Sequence, residues 1–166
     1  MTITIKSSEE TELMREAGRP LAKVHQDRGK EVKPGMSTLD IDRLGEEMIR
    51  SFGCIPSFKN YCGYPASICV SVNDEVVHGI PTDKRIIQEG DIVSLDAGVI
   101  YKGYHSDAAR TVAVGEISQE ARLLIERTRQ SFFDGMKMAT VGRHLHDISR
   151  AVGDYAEKFG YGVVRD

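Results

Sequence analysis

The chain has 166 residues, of which 40% are apolar and 28% charged, and a net charge of −3, as is typical of an ordinary globular domain. No basic cluster of the kind that nucleic-acid-binding proteins carry is present, which argues against general DNA or RNA binding. The apolar runs are far shorter than the ~20 residues that span a bilayer, and the N-terminus lacks a signal-peptide pattern, so no membrane association is predicted.

The cysteines, Cys54, Cys62 and Cys69, are odd in number and contain no CxxC pair. This pattern argues against a disulfide framework and against a closed zinc–thiolate site. We therefore expect reduced thiols and a cytoplasmic protein.

Two helices are predicted in the first third of the chain. Apolar residues recur at helical spacing over about 9–29, and Lys-Pro-Gly at 33–35 ends this first helix. Ser37 stands three residues before Asp40, which resembles a capping box and predicts a second helix ending near 52–53.

The pattern then changes to strands and returns to helices. Residues 66–72 and 91–114 are β-rich, and the longer run is predicted to fold back on itself. A loop at 79–83 separates the two runs. Helices are predicted again over about 118–138 and 145–159, so the fold class is α+β.

A shift of 107 residues aligns the second helix with the fourth. Six of 19 gap-free positions are then identical, where about one is expected by chance. The identical pairs are Gly35/Gly142, Asp40/Asp147, Ile41/Ile148, Arg43/Arg150, Phe52/Phe159 and Gly53/Gly160. Duplication is one interpretation, and the other is that two amphipathic helices with glycine stops look alike.

If the repeat is real, residues 1–166 form one domain that is incomplete at its C-terminal side. The first repeat covers about 8–115, and about 118–166 supply only the helices of the second. An unmatched helix pair and an unpaired sheet edge would expose apolar surface. We therefore expect either a fragment or a half-fold that a complementary chain or self-association completes.

The most informative feature is the spacing of Asp96 and Asp107. If Lys102 and Gly103 form a two-residue hairpin turn, Asp107 lies opposite Gly98. Side chains alternate faces along a strand, so the two carboxylates become diagonal neighbours on one face, about 7–8 Å apart at Cα. A three-residue turn would place them on opposite faces.

Two aspartates on one face of a hairpin are unfavourable unless something compensates their charge. Two divalent cations bridged by carboxylates would do so and form a known hydrolytic arrangement. The alternatives are a solvated sheet face or an ion pair between Asp107 and Arg110. A dinuclear centre also needs more donor atoms than this hairpin offers.

Other candidates are weaker. His78 lies in a loop at a strand end, where functional groups are often presented. Tyr61, Tyr64 and Cys69 could line a pocket or belong to the core. The remaining histidines are expected to be ordinary solvated side chains; they are His25, His105, His144 and His146.

Residues 96–98 and 103–111, together with 64–73 and the His-Gly-Ile-Pro loop at 78–81, resemble the corresponding segments of type I methionine aminopeptidases. The likeness covers nearly the whole chain, including 33–35 and the first helix. The paired aspartates and the His-Gly-Ile-Pro loop together make it specific.

This resemblance implies the pita-bread fold, in which two similar α/β halves surround a pseudo-twofold axis. It implies removal of the initiator methionine from nascent polypeptides at the ribosome, with two divalent metal ions (cobalt, manganese, iron or zinc). Asp96 would bind one metal and Asp107 would bridge both. His78 would contact the substrate near the scissile amide, and an apolar pocket would accept the methionine side chain; its lining residues would be Tyr61, Tyr64 and Cys69.

One departure from the family pattern is plain. The family takes one further His and two Glu ligands from its second half, and they are absent from this chain, so we expect the isolated chain to be inactive.

Two other functions compete with this interpretation. One is a non-catalytic half-module that binds a partner or a peptide, and the other is a proline-directed dinuclear aminopeptidase.

Overall fold

The computed structural model describes residues 3–164, apart from the side chain of Arg28. These residues form two compact units, which divide between Ile117 and Ser118. No helix within the described range is both long enough and apolar enough to cross a membrane.

The first unit begins with two helices, α1 over Ser8–Glu31 and α2 over Thr38–Ser51. One stripe of α1 is buried through Ala17, Leu21 and Val24, which recur at helical spacing. Both helices confirm the sequence prediction to within two residues at each end.

The start of α2 is a capping box, as its sequence predicts. The backbone N–H of Asp40 donates to Ser37 Oγ at 3.1 Å, and the backbone N–H of Ser37 donates to Asp40 Oδ2 at 3.0 Å. The two residues therefore satisfy each other's free backbone donors and fix where the helix begins.

Four antiparallel strands follow: β1 over Ile55–Pro56, β2 over Ile68–Val72, β3 over Ile92–Tyr101 and β4 over Tyr104–Ala113. β3 is central, with β4 along one side and both β1 and β2 along the other. The two long predicted β-rich runs are confirmed. The sequence analysis did not predict β1, because it has only two residues and one of them is proline.

The β3–β4 turn has the predicted two-residue length. Lys102 has φ 48° and Gly103 has φ 83°, as a type I′ turn requires. Tyr101 therefore lies opposite Tyr104, and the predicted register of the hairpin is confirmed.

One face of the sheet packs against α1 and α2 to form the core. Alternate residues of β3 point to this face and are at most 2% exposed; they are Val93, Leu95, Ala97 and Val99. The other face carries the intervening positions of β3, among them Asp96.

The second unit contains α3 over Gln119–Met136 and α4 over Leu145–Lys158. The helices approach each other closely at Gly135, where a Cβ would lie 2.6 Å from Cγ2 of Val152. None of the residues in the described helix α4 is fully buried. Both helices confirm the predicted elements.

Residues 107 positions apart have the same local geometry. Gly35 and Gly142 have φ values of 91° and 86°. Asp147 Oδ2 accepts the backbone N–H of His144 at 2.9 Å, as Asp40 does in α2. Two of the six identical pairs, Gly35/Gly142 and Asp40/Asp147, therefore lie at the helix start and the turn before it, and duplication stays a hypothesis.

Candidate metal centre

Asp96 and Asp107 project from neighbouring strands on the face opposite the core. Asp107 lies opposite Gly98, and the two carboxyl groups are within hydrogen-bonding reach of each other. The pKa of Asp96 is raised to about 6, first by burial and then by the charge and hydrogen bond of Asp107, while the nearby His78 opposes the shift. The protein alone leaves the repulsion within this carboxylate pair largely uncompensated.

The chemistry of the pair fits divalent cations, because carboxylate oxygens are hard anionic ligands. A cation would replace the repulsion by attraction. Within residues 3–164, no group of three or more His, Cys, Asp or Glu side chains is arranged to hold a metal ion. The pair therefore supplies part of a coordination sphere.

The alternative ion pair between Asp107 and Arg110 is disfavoured by strand geometry. The two residues are three positions apart in β4, so their side chains point to opposite faces. Asp107 consequently has Asp96 as its neighbour on its own face of the hairpin.

Gly98 allows another segment to approach the carboxylate pair. Its carbonyl accepts the backbone N–H of Ser57 at 2.9 Å, and a Cβ on Gly98 would lie 2.8 Å from the Phe58 ring. Residues 57–58 therefore lie against β3 directly beside Asp107's cross-strand partner. The sequence interpretation did not include them, since no local pattern indicates this approach.

Cys69 is brought to the carboxylates by the β2–β3 register, in which it lies opposite Asp96. It is 3% exposed. Burial raises the pKa of the Cys69 thiol, a hydrogen bond with Tyr64 opposes this, and the charges of Asp96 and Asp107 add to the rise. The thiol therefore lies on the same face of the sheet as Asp96 and Asp107, and it stays protonated.

Tyr64 connects the start of β2 with the loop that carries His78. Its hydroxyl lies 3.0 Å from the carbonyl oxygen of Gly79 and 3.2 Å from that of Ile68. Burial raises its pKa, and the neighbouring Cys69 raises it further. Tyr61, by contrast, is 70% exposed, so its ring faces solvent.

His78 has a left-handed backbone with φ 59° and an exposed side chain. Gly79 holds the loop to β2, because its carbonyl accepts from Val70 N at 3.0 Å and its N–H donates to Ser71 Oγ at 3.1 Å. A Cβ on Gly79 would overlap the backbone of Val70. The glycine thus allows the close approach that brings His78 near Asp96.

Two carboxylates of α2 hold the start of β2. Asp42 Oδ1 accepts the backbone N–H groups of Ser67 and Ile68, each at 2.9 Å. Glu46 Oε2 accepts from Ser67 Oγ at 2.7 Å and from Lys59 Nζ at 2.6 Å. The sequence interpretation missed both, because acidic residues on a helix usually face solvent.

The expectation that His25 is solvated is wrong. Its side chain is 8% exposed, and Nε2 lies 2.8 Å from the carbonyl oxygen of Ala108, next to Asp107. The available signal was its position four residues after Leu21 on the buried stripe of α1. The other three histidines are exposed, as expected; they are His105, His144 and His146.

Comparison with known proteins places these features in a family context. The family model described as metallopeptidase family M24 matches residues 12–166. A methionine aminopeptidase from Clostridium acetobutylicum is 52% identical over 164 residues, and methionine aminopeptidase 1 from Bacillus subtilis is 45% identical over 164. In each case the match covers 99% of this chain and 66% of the relative, so the chain spans just under two thirds of their length.

Solved structures agree. Crystal structures of methionine aminopeptidases from Rickettsia prowazekii and Thermotoga maritima each superimpose with a TM-score of 0.96 at 38% identity, over 99% of this chain and 66% of theirs. A Xaa-Pro dipeptidase from Bacillus anthracis has a TM-score of 0.80 at 26% identity, over 95% of this chain and 43% of its own. The expected pita-bread fold is confirmed.

Proposed function

Because the chain belongs to metallopeptidase family M24, we propose that it carries two metal ligands and the substrate pocket of a methionine aminopeptidase. The family implies divalent metal ions. The observation that carries the proposal is the pairing of Asp96 and Asp107 on one sheet face, with their carboxyl groups in mutual reach. In this proposal Asp96 and Asp107 would both be metal ligands.

Divalent ions bound here would supply Lewis acidity for peptide hydrolysis. The candidate ions are cobalt, manganese, iron and zinc, because all of them accept carboxylate ligands. The role of the hairpin is to fix two ligands on adjacent strands, which positions them more rigidly than loops would.

His78 is proposed to contact the substrate near the scissile amide. Two features support this: its loop is held to β2 through Gly79, and its charge acts on Asp96. Tyr64 and Cys69 are proposed to line the pocket for the methionine side chain, where a buried, protonated thiol offers an apolar surface. Tyr61 is proposed to form the pocket rim, because its ring is exposed and free to meet a peptide.

The substrates proposed are nascent peptides with an N-terminal methionine, met at the ribosome in the cytoplasm. The names of the relatives support the substrate, and the free state of all three cysteines supports a reducing compartment. Methionine aminopeptidases also superimpose with a higher TM-score than the Xaa-Pro dipeptidase does, which favours methionine over a proline-directed specificity.

A fusion protein tests the function. The chain is joined to the part of the Clostridium acetobutylicum relative that it does not cover, and methionine release from Met-Ala-Ser is measured with added Mn²⁺ or Co²⁺. We expect turnover by the fusion, none by the 166-residue chain alone, and a loss of at least about 100-fold on Asp107→Asn.

Specificity is measured with the same fusion. Met-Ala-Ser should be cleaved and a Xaa-Pro dipeptide should not. A folded, metal-loaded fusion that releases no methionine, or an Asp107→Asn variant with full activity, contradicts the proposal.

A further inference from the structure

We infer that His25 is a positioning residue for the metal centre, because its imidazole holds the backbone of β4 directly beside Asp107. This inference rests on the proposed function, since it concerns the geometry of a proposed metal ligand. His25 belongs to α1 and lies on the opposite side of the sheet from the two carboxylates.

The contact is a specific, partly buried hydrogen bond. His25 is 8% exposed, and its Nε2 lies 2.8 Å from the carbonyl oxygen of Ala108. A carbonyl oxygen only accepts hydrogen bonds, so Nε2 is the donor and carries the proton. Since a buried polar group without a partner is costly, this bond fixes the imidazole and the carbonyl relative to each other.

The position of Ala108 in β4 explains how this contact affects Asp107. Ala108 follows Asp107, and the two side chains point to opposite faces of β4. Holding the Ala108 carbonyl on the core side therefore fixes the backbone from which Asp107 projects on the other side. Among residues 3–164, β4 pairs with β3 alone, and α1 packs along it.

α1 approaches β4 closely on both sides of His25. A Cβ on Gly29 would lie 3.1 Å from Cγ1 of Val112, and Tyr104 at the other end of β4 donates to Glu10 at 3.1 Å. His25 thus makes a polar contact with the middle of β4, between these two approaches. A carboxylate that serves as a metal ligand would tolerate little displacement, so this support bears on metal affinity.

Mn²⁺ binding to the 166-residue chain tests the inference. Paramagnetic broadening of backbone NMR signals around Asp96 and Asp107 is measured during titration with Mn²⁺ alone, and it detects even weak binding. We expect His25→Leu to raise the Mn²⁺ dissociation constant about tenfold, the lower end for outer-shell groups. His25→Gln places an amide donor near the position of Nε2 and should restore the affinity to within about twofold of the unmodified chain.

Two further variants make the result decisive. His146→Leu removes an exposed histidine of the other unit and should leave broadening at Asp96 and Asp107 unchanged. Asp107→Asn should abolish it. If His25→Leu does not fold, His25→Met replaces it; if neither apolar variant folds, His25 is required for folding itself and the separate positioning role is overturned.

The two proposals fail in different ways. Equal Mn²⁺ affinity in a folded His25→Leu variant and the unmodified chain overturns the role of His25 alone. An unmodified chain without any Mn²⁺ broadening at Asp96 and Asp107 overturns the proposed metal site, and the role of His25 with it.

Discussion

Cys69 lies directly opposite Asp96 in the β2–β3 ladder, with its thiol facing the same side of the sheet as the two carboxylates. Burial raises the pKa of this thiol, and the two carboxylates add to that rise. Cys54 is also buried with a raised pKa, whereas Cys62 is exposed. The three cysteines of one chain therefore differ in the reactivity that we expect from them.

Iodoacetamide at pH 8 should alkylate Cys62 well before Cys69 or Cys54, because only the exposed thiol is accessible to the reagent. Peptide mapping by mass spectrometry measures the three sites separately. In 8 M urea all three should react at similar rates. Equal labelling of Cys69 and Cys62 in the folded chain would contradict the observed burial.

Asp96→Asn should stabilise the metal-free chain by about 1 kcal/mol, because it removes repulsion between the half-buried Asp96 and the neighbouring Asp107. Added Mn²⁺ should stabilise the unmodified chain and not the variant. Urea unfolding with and without the metal measures both effects. Asp154→Asn, on an exposed residue of α4, is the matched control and should stay within about 0.5 kcal/mol. A destabilised Asp96→Asn variant would show that the pair does not repel in the folded chain.

Gly79→Ala should destabilise the first unit by about 2 kcal/mol or more, because its Cβ would overlap the Val70 backbone and lie 2.9 Å from Ser71 Cα. Gly153→Ala is the matched comparison, since nothing lies within 4 Å of its Cβ position in α4. That change should stabilise the helix by about 0.5–1 kcal/mol. Thermal unfolding of both variants checks the contrast, and a harmless Gly79→Ala change would mean that the loop does not pack on β2 as described.

Glu46 should contribute to the acid sensitivity of the fold. Its hydrogen bond with Lys59 is the largest cause that lowers its pKa, from 4.5 to about 2. A depressed carboxyl pKa adds stability above about pH 4.5, and this is lost as pH falls towards 2. We expect Glu46→Gln to remove about 1–2 kcal/mol at pH 7 and little at pH 2. Urea unfolding from pH 7 to 2 measures this, with the exposed Glu47→Gln as control. If the free energy of unfolding of Glu46→Gln differs from that of the unmodified chain by the same amount at every pH from 7 to 2, the lowered pKa of Glu46 is not the cause of the acid sensitivity.

The parts of the structure that depend on local rules were readable from the sequence. Turn length and strand alternation determine which residue lies opposite Gly98, so the shared face of Asp96 and Asp107 could be derived in advance. The capping box at Ser37 and Asp40 was equally local. The resemblance to methionine aminopeptidases added the fold, which local rules alone do not give.

Contacts between segments that are distant in the sequence could not be predicted from the sequence. His25 looked like any polar residue of an amphipathic helix until α1 was placed along β4. Asp42 accepts two backbone N–H groups from a segment 25 residues further along the chain, which no local pattern indicates. Phe58 reaches the site because a glycine on a separate strand leaves room for its ring. In each case the signal is a contact between distant segments rather than a spacing along the chain.

The two-residue turn at Lys102 and Gly103 also sets how this protein can vary in length. Adding or losing one residue there would exchange the sides of every subsequent side chain in β4, taking Asp107 to the face that packs against α1 and Ala108 to the opposite face. Paired insertions would lengthen the hairpin tip and leave both aspartates where they are. Natural variants of this hairpin should therefore differ in length by even numbers, and a single-codon deletion at the tip should be as damaging as loss of the carboxylate itself.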